Sequence, residues 1–353
     1  MAKVSVVLTS YNHEKFIGQA IDSVLNQTFT DWELIIVDDV SPDGSWGVIE
    51  SYNDPRIIKI QNDRTRRYIY NINRAIESQS TGEYIAIHHS DDAWELDKLE
   101  KQAAVLDANP GVGAVFSHVQ CIDENNRPLA VEWFNQPNKP RTAWLRSLFF
   151  NENQLCHPSA LVRRSAYEKA GLYRSANAQT DDAEMWTRLL KIADIHVVQE
   201  RLTLHRIFSD QSNESGARPD RRARMWLEWY LQKKHYAGMP LADILEAFPE
   251  SERWVTPKGA NSGYLLAMFA IQIGGCPGTR LFGVEHLYQL MNDAEQRAEI
   301  ESIHGFTYLD FIALTGQEDF FNPAAVEPVA PKPIVTSPLR RFAGKVVRKL
   351  RAL

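Results

Sequence analysis

The sequence sets two adjacent carboxylates, Asp91 and Asp92, directly after the run "YIAIHHS". Side by side, two anions repel each other and resist burial. Either they face water, or a cation sits between them and a ligand. A carboxylate pair at a strand end can hold a divalent ion, which then bridges two phosphate oxygens. Two polar clusters of similar kind precede it, Thr9-Ser10-Tyr11-Asn12 and Asp38-Asp39. Thr9 and Asp39 carry the hydrogen-bonding groups needed to read a base edge. Asp38-Asp39 and Asp91-Asp92 equally suit the capping of the helices that follow them. His88 and His89 are metal-ligand types, but neighbours on a strand face opposite sides. One of them is therefore expected to pack, and the other to line a cleft at most.

These clusters need a scaffold that brings them together. "VSVVLTS" and "WELIIVDD" are continuous apolar runs, the pattern of strands covered on both faces. "RIIKIQN" and "GEYIAIHHSDD" follow as further strands, and "VGAVFSHVQCID" begins another. Helices are predicted between them at about 15–27, 44–52, 70–78 and 96–108, the last closed by "NPG". The β-α-β-α order predicts an α/β fold with a mostly parallel sheet and helices on both faces. Ligands in such sheets sit beyond the carboxyl ends of the strands, which is where the three polar clusters fall. Further on, "HPSALVRRSAYEKAGLY" reads as a strand and a helix ending at Gly171, and "DDAEMWTRLLKIA" as a helix. From Arg218 to about Phe321 the pattern is mainly helical.

Composition excludes several classes. The 353 residues are 44% hydrophobic and 24% charged, ordinary for a globular protein. A net charge of −6 gives no general attraction to nucleic acid. Three cysteines without a CxxC pair do not make a disulfide framework, and a reducing compartment is expected. No signal peptide is read at "KVSVVLTSYN", and the longest apolar run, Tyr264 to Ile271, is too short to span a bilayer. Neither GxGxxG nor GxxxxGK[ST] occurs, so the glycine-rich ways of holding phosphate are missing.

"VSVVLTSYNHEKFIGQAIDSVLNQTFTDWELIIVDDVSPDGS" and "TGEYIAIHHSDDAW" together resemble the nucleotide-binding half of a family 2 glycosyltransferase of the GT-A fold. "HPSALVRRSAYEKAGLY" and "DDAEMWTRLL" resemble its acceptor half. The resemblance runs from about Val4 to Asn213 and rests on the ordered set rather than on any one motif. It implies that Thr9, Tyr11 and Asp39 bind the base, that Asp91 meets the ribose, and that Asp92 ligates Mn²⁺ or Mg²⁺. Asp182 matches the catalytic base of an inverting displacement, and Asp181 stands beside it on the acceptor side. Arg67, in the basic loop "NDRTRRYIYN", suits a diphosphate contact, although a solvated face is the ordinary reading of such a loop. Trp94 is a candidate floor for the sugar site, with core packing as its alternative. His157 is a candidate acceptor contact, with a structural role as its alternative.

Three departures from the family pattern stand out. Asp181-Asp182 replaces the usual Glu-Asp. Phe208 stands where many relatives carry a histidine, and either His205, one turn away, or Arg206 could substitute for it as a third ligand or diphosphate contact. The arginine loop lacks the common glycine. The domain expectation is a glycosyltransferase domain over 1–213 (nucleotide half 1–120, acceptor half 121–213). A helical region over 214–321 and a proline-rich linker over 322–338 follow it. Residues 339–353 carry six Lys/Arg and no acid, with apolar residues at helical spacing. That tail reads as a basic amphipathic helix suited to an anionic membrane surface, or to an acidic surface of the protein itself. The expected partners are a nucleotide-sugar donor, UDP-linked first and dTDP-linked next, and a glycan or lipid-linked acceptor. The expected place is the cytoplasmic face of the cell membrane. The rivals are a sugar-nucleotide pyrophosphorylase and a non-catalytic glycan-binding or scaffold subunit.

Overall fold

The computed structural model describes residues 2–210 and 219–316. The linker expected at 322–338 and the tail helix expected at 339–353 lie outside the described residues. Two compact units emerge, one from Met1–Arg141 with Glu152–Glu228, the other from Thr142–Asn151 with the chain from Trp229 onward.

The first unit is built on strands β1 (Val4–Ser10), β2 (Trp32–Asp38), β3 (Ile57–Gln61), β4 (Tyr84–His89), β5 (Ala93–Trp94), β6 (Val112–Ile122), β7 (Leu161–Arg163) and β8 (Asp194–Arg206). They form one sheet in the order β3-β2-β1-β4-β7-β6-β8-β5. The β3-β2-β1-β4 half is parallel, as the β-α-β-α order predicts. Strand β7 runs antiparallel to both neighbours, so the sheet is mixed. Every residue of β1 is buried, because helices cover both faces. Its helices are α1 (Ile17–Leu25), α2 (Ser45–Ser51), α3 (Tyr68–Ser78) and α4 (Lys98–Ala108), followed after α5 (Arg141–Phe149) by α6 (Arg164–Ala170) and α7 (Asp181–Leu190). Helix α1 buries Ile17, Ala20, Ile21 and Val24 against the sheet. Each fully buried Ile or Val there contributes about 1.5–3 kcal/mol. Helix α6 ends at Gly171, as expected, and its φ of 79° is one that favours glycine.

Two elements differ from the sequence reading. Strand β8 is long and pairs with β6, but its register slips by two residues between Val198 and Arg201. The bulge carries the polar run Gln199-Glu200-Arg201 to solvent and interrupts the alternation that would have marked the strand. The stretch from Gln120 to Asn151, to which the sequence reading assigned no helix, contains α5. That helix buries Trp144, Leu145, Leu148 and Phe149, a spacing that fits one helical face.

The second unit gathers aromatic side chains around the buried helix α10 (Ser262–Gln272), after α8 (Pro219–Lys233) and α9 (Leu241–Ala247). Phe149, Phe248 and Phe269 meet there with ring centroids 4.5–5.6 Å apart. Arg146 grips Glu250 through both guanidinium nitrogens, at 2.6 and 2.9 Å. Helices α11 (Pro277–Asn292), α12 (Ala294–His304) and α13 (Tyr308–Thr315) complete it. Asp293 caps α12, and a Thr307–Asp310 capping box starts α13.

Candidate active site

Sheet register brings the polar clusters into line. Thr9 lies opposite both Val37 and His89, and Ser10 opposite Asp38, so the carboxyl ends of β1, β2 and β4 coincide. The loops leaving β1, β2 and the neighbouring β3 are strained. Asn12, Val40 and Arg67 hold φ of 57°, 61° and 69°, a region that costs non-glycine residues energy, most of all a β-branched one.

Asp39 organises the arginine loop. Its Oδ1 accepts from Asn62 Nδ2 and from the backbone N–H of Arg66, and its Oδ2 from the backbone N–H of Arg67, each at 2.8 Å. Oδ2 keeps room for a further donor. Asp38 turns the other way and holds Ser41, a turn-capping role. Thr9 is nearly buried beneath this loop-bearing edge, whereas Tyr11 is 51% exposed. The residue after Arg67 extends the chain of contacts, since the Tyr68 hydroxyl donates to Asp181 Oδ1. Asp39 and Asp181 are thus linked through two consecutive residues.

His89, Asp91 and Asp92 each offer a ligand atom within 4.8 Å of the others. The Nδ1 of His89 lies 3.6 Å from Asp92 Oδ2 and is the nitrogen turned toward the carboxylates, while its buried Nε2 has no hydrogen-bond partner among the described residues. Two carboxylates and an imidazole suit a divalent cation, and these residues could hold one. Asp92 is 1% exposed. Burial pushes its carboxyl up, but His205, His89 and the backbone N–H of Arg206 outweigh that and hold it well down. Asp91, half-buried, is pushed up by burial and by Asp92. His205 Nδ1 lies 3.1 Å from Asp92 Oδ1. Arg206 is fully buried, and its guanidinium donates to the carbonyls of Asp91 and Asp123 and to Gln19 and Asn126. It is therefore His205, not Arg206, that faces the acidic pair. Phe208 packs on Phe16 and near the ring of His13, whose Nδ1 meets Ser90 Oγ at 2.7 Å.

Asp181 and Asp182 open α7. Asp182 accepts from Asn153 Nδ2 at 2.7 Å and from the N–H of Ala183. Burial raises its carboxyl to about 6. Asp181 is pushed further up by burial and by its neighbour, and its Oδ2 is buried without a partner. The aspartate pair is close to the metal-type cluster, because the Tyr68 ring that serves Asp181 also stands edge-on to His89, 6.4 Å between centroids.

Two expected residues fall elsewhere. Trp94 is 4% exposed, stacks on His88 at 4.0 Å, receives Lys98 Nζ over its ring and donates to the Pro158 carbonyl. With its ring covered and its N–H used, it is a core residue and offers no floor to a sugar. His157 is buried, donating to or accepting from the Tyr173 hydroxyl at 2.9 Å, with its ring 5.2 Å from His89. It supports the cluster from behind. His205 was expected only as an alternative to Arg206, and Asn153, Tyr68 and His13 were not expected as site residues by sequence alone. Their only signal was polarity near strand and helix ends.

Comparison with known proteins agrees with this geometry. Residues 5–171 match the family described as "Glycosyl transferase family 2". The glycosyltransferase MJ1057 of Methanocaldococcus jannaschii is 32% identical over 209 residues, 58% of this chain and 70% of that one. The Escherichia coli UDP-Glc:alpha-D-GlcNAc-diphosphoundecaprenol beta-1,3-glucosyltransferase WfgD is 33% identical over 123 residues, 35% of this chain and 48% of its own. Among solved structures, S. aureus TarS 1–349 in complex with UDP-GlcNAc superposes with a TM-score of 0.55 at 16% identity, covering 88% of this chain and 89% of that one. At that identity the likeness carries the fold alone, and it meets the GT-A expectation, with a helical C-terminal region. With an aligned relative covered over more than two thirds of its length and a matching family pattern, the chain belongs to glycosyltransferase family 2.

Proposed function

We propose that this glycosyltransferase moves a sugar from a nucleotide-sugar donor, UDP-linked first and dTDP-linked next, to a hydroxyl of a glycan or lipid-linked acceptor. The setting is bacterial surface polysaccharide assembly, and the anomeric configuration inverts. One observation carries the reading: the His89, Asp91 and Asp92 donor set stands one ring contact from the Asp181–Asp182 pair. The UDP-sugar specificity and lipid-diphosphate acceptor of WfgD add support for donor and acceptor class.

Thr9, Tyr11 and Asp39 take the base, with the free capacity of Asp39 Oδ2 accepting from a pyrimidine N–H. Asp91 meets the ribose, and the arginine loop, Arg67 included, neighbours the diphosphate. Asp92, with His89 and Asp91, would hold Mn²⁺ or Mg²⁺. Such a cation neutralises charge on the departing diphosphate. Asp182, kept in place by Asn153, removes the proton from the acceptor hydroxyl as its oxygen bonds to the anomeric carbon and the bond to the diphosphate breaks. Base catalysis of this kind contributes about 10²–10⁴-fold. Asp181 is held beside it by Tyr68. The basic segment 339–353 attaches the enzyme to an anionic bilayer. The chain ending at Pro338 then sediments less with anionic liposomes than the full chain, and equal sedimentation removes that part of the reading.

The test is a donor screen. Release of nucleoside diphosphate is followed with Mn²⁺ or Mg²⁺, in the parent and in Asp92→Asn and Asp182→Asn. Loss of turnover in both variants is expected. If both turn over like the parent, the assignment is wrong.

A further inference from the structure

Trp133 stands out among the exposed side chains of the first unit. It is 47% exposed, yet its polar edge is fixed: Nε1 donates to the Asn153 carbonyl at 2.7 Å. The side chain of that same Asn153 donates to Asp182 Oδ2 at 2.7 Å. One residue therefore joins an exposed indole to the proposed base.

The backbone carrying Trp133 is held from both sides. Glu132 accepts from Arg201 of β8 and from Asn135, both at 2.6 Å. Asn135 in turn exchanges two hydrogen bonds with the backbone of Val119 in β6. Gln136 donates back to the Trp133 carbonyl at 3.0 Å. The next residue, Phe134, stands edge-on to the ring of His205, 5.7 Å between centroids, and His205 is the partner of Asp92. The turn at Trp133 and Phe134 thus meets His205, the partner of Asp92, with one residue and Asn153, the partner of Asp182, with the other.

Single exposed aromatics are common on protein surfaces and need no special reason. An indole whose N–H is tied down, on a pinned turn, two hydrogen bonds from the half-buried Asp182 carboxylate, is a different case. Its face is offered in a fixed orientation and costs little further entropy on binding. Sugar rings present an apolar face of C–H groups, which packs on an aromatic face while the hydroxyls stay free for hydrogen bonds.

We propose that Trp133 is the stacking platform for the acceptor sugar ring, holding it with a hydroxyl turned toward Asp182. The inference rests on the glycosyltransferase reading above and adds the acceptor subsite to it.

The experiment compares the full chain with Trp133→Ala and Trp133→Phe. The acceptor probes are the octyl glycosides of glucose, galactose, N-acetylglucosamine and rhamnose. Nucleoside diphosphate release is measured from the best UDP-sugar donor with and without each glycoside. In the parent, at least one glycoside accelerates release. Trp133→Ala raises its KM about tenfold or more, while donor KM and glycoside-free release stay within twofold of the parent. Trp133→Phe, which keeps a ring but not the N–H, retains most of the acceptor affinity. The platform is overturned if acceptor KM in Trp133→Ala matches the parent. It is also overturned if only kcat falls, with the alanine and phenylalanine variants alike, because that marks a support for Asn153 and Asp182 alone. A parent that releases diphosphate but responds to none of the glycosides overturns it as well, since stacking recognises the ring. A parent that binds and hydrolyses no nucleotide sugar sinks the underlying reading, and the subsite with it.

Discussion

The Nδ1 of His205 lies 3.1 Å from Asp92 Oδ1, and the next backbone N–H, that of Arg206, donates to the same oxygen at 2.8 Å. This ties the end of β8 to the acidic turn after β4. The pair has a pH signature in the metal-free protein. Asp92 is held below its ordinary value, so its contribution to stability is present above that value and is lost as pH falls through the depressed one. His205 is held above its ordinary value by Asp92, which outweighs its burial. Its contribution is present below the ordinary histidine value and is lost as pH rises through the raised one. In EDTA, the Tm gap between the parent and His205→Gln is therefore widest between about pH 4 and 6.5, the ordinary values of the two groups. A gap that stays flat from acid to alkaline pH would remove the ion pair.

Much of this was legible in the sequence, and the limits are physical. Buried parallel strands announce themselves, because β1 and β2 are apolar along their length and end in polar clusters. The residues of the acidic turn were legible for the same reason. Trp94 stayed open between sugar floor and core because a tryptophan two residues past a carboxylate pair is as compatible with a cleft as with a core. Only the three-dimensional stack of His88, Trp94 and Lys98 decides it. The contacts of His205 and Asn153 were illegible because their partners, Asp92 and Asp182, lie 113 and 29 positions away. No local pattern encodes such a contact.

Asp39 is expected to act through the loop as well as on a ligand. Replacing it with Asn swaps an acceptor oxygen for a donor against the N–H groups of Arg66 and Arg67. Losing hydrogen bonds to a charged acceptor costs about 1.5–3 kcal/mol. The loop then opens more often, and trypsin cuts at Arg64, Arg66 or Arg67 about tenfold faster in Asp39→Asn, as its open population rises. Equal cleavage rates, with the rest of the chain intact, would mean that the carboxylate does not hold the loop.

Lys98 is fully buried with no carboxylate partner among the described residues, meeting Gln102 Oε1 at 2.8 Å and the ring of Trp94 at 4.0 Å. Burial lowers its pKa well below the ordinary lysine value. The unfolded chain then binds a proton that the native state does not, so native stability rises with pH up to the unfolded lysine value of about 10.4. The slope from one such group is at most about 1.4 kcal/mol per pH unit. Denaturant melts from pH 7 to 10 are predicted to show a steeper rise in the parent than in Lys98→Met. Parallel curves would mean that Lys98 keeps its charge when folded.

Asp182 joins stability to catalysis with opposite signs. Burial raises its carboxyl to about 6, so ionising it in the native state costs free energy above the unfolded carboxyl value. Asp182→Asn removes that cost and still accepts from Asn153, so its Tm at pH 7 equals or exceeds the parent's. The same ionised carboxylate is the proposed base. Activity in the parent therefore rises with pH along a limb near 6 and levels off above it, because only the deprotonated form accepts the acceptor's proton. Asn cannot accept that proton, so turnover falls about 10²–10⁴-fold and the limb disappears. Substituting Asn153→Ala removes a hydrogen bond that stabilises the carboxylate, which moves the limb to higher pH while leaving the plateau closer to the parent's. A limb unmoved in Asn153→Ala, or a full-strength limb in Asp182→Asn, would assign the proton transfer to another group.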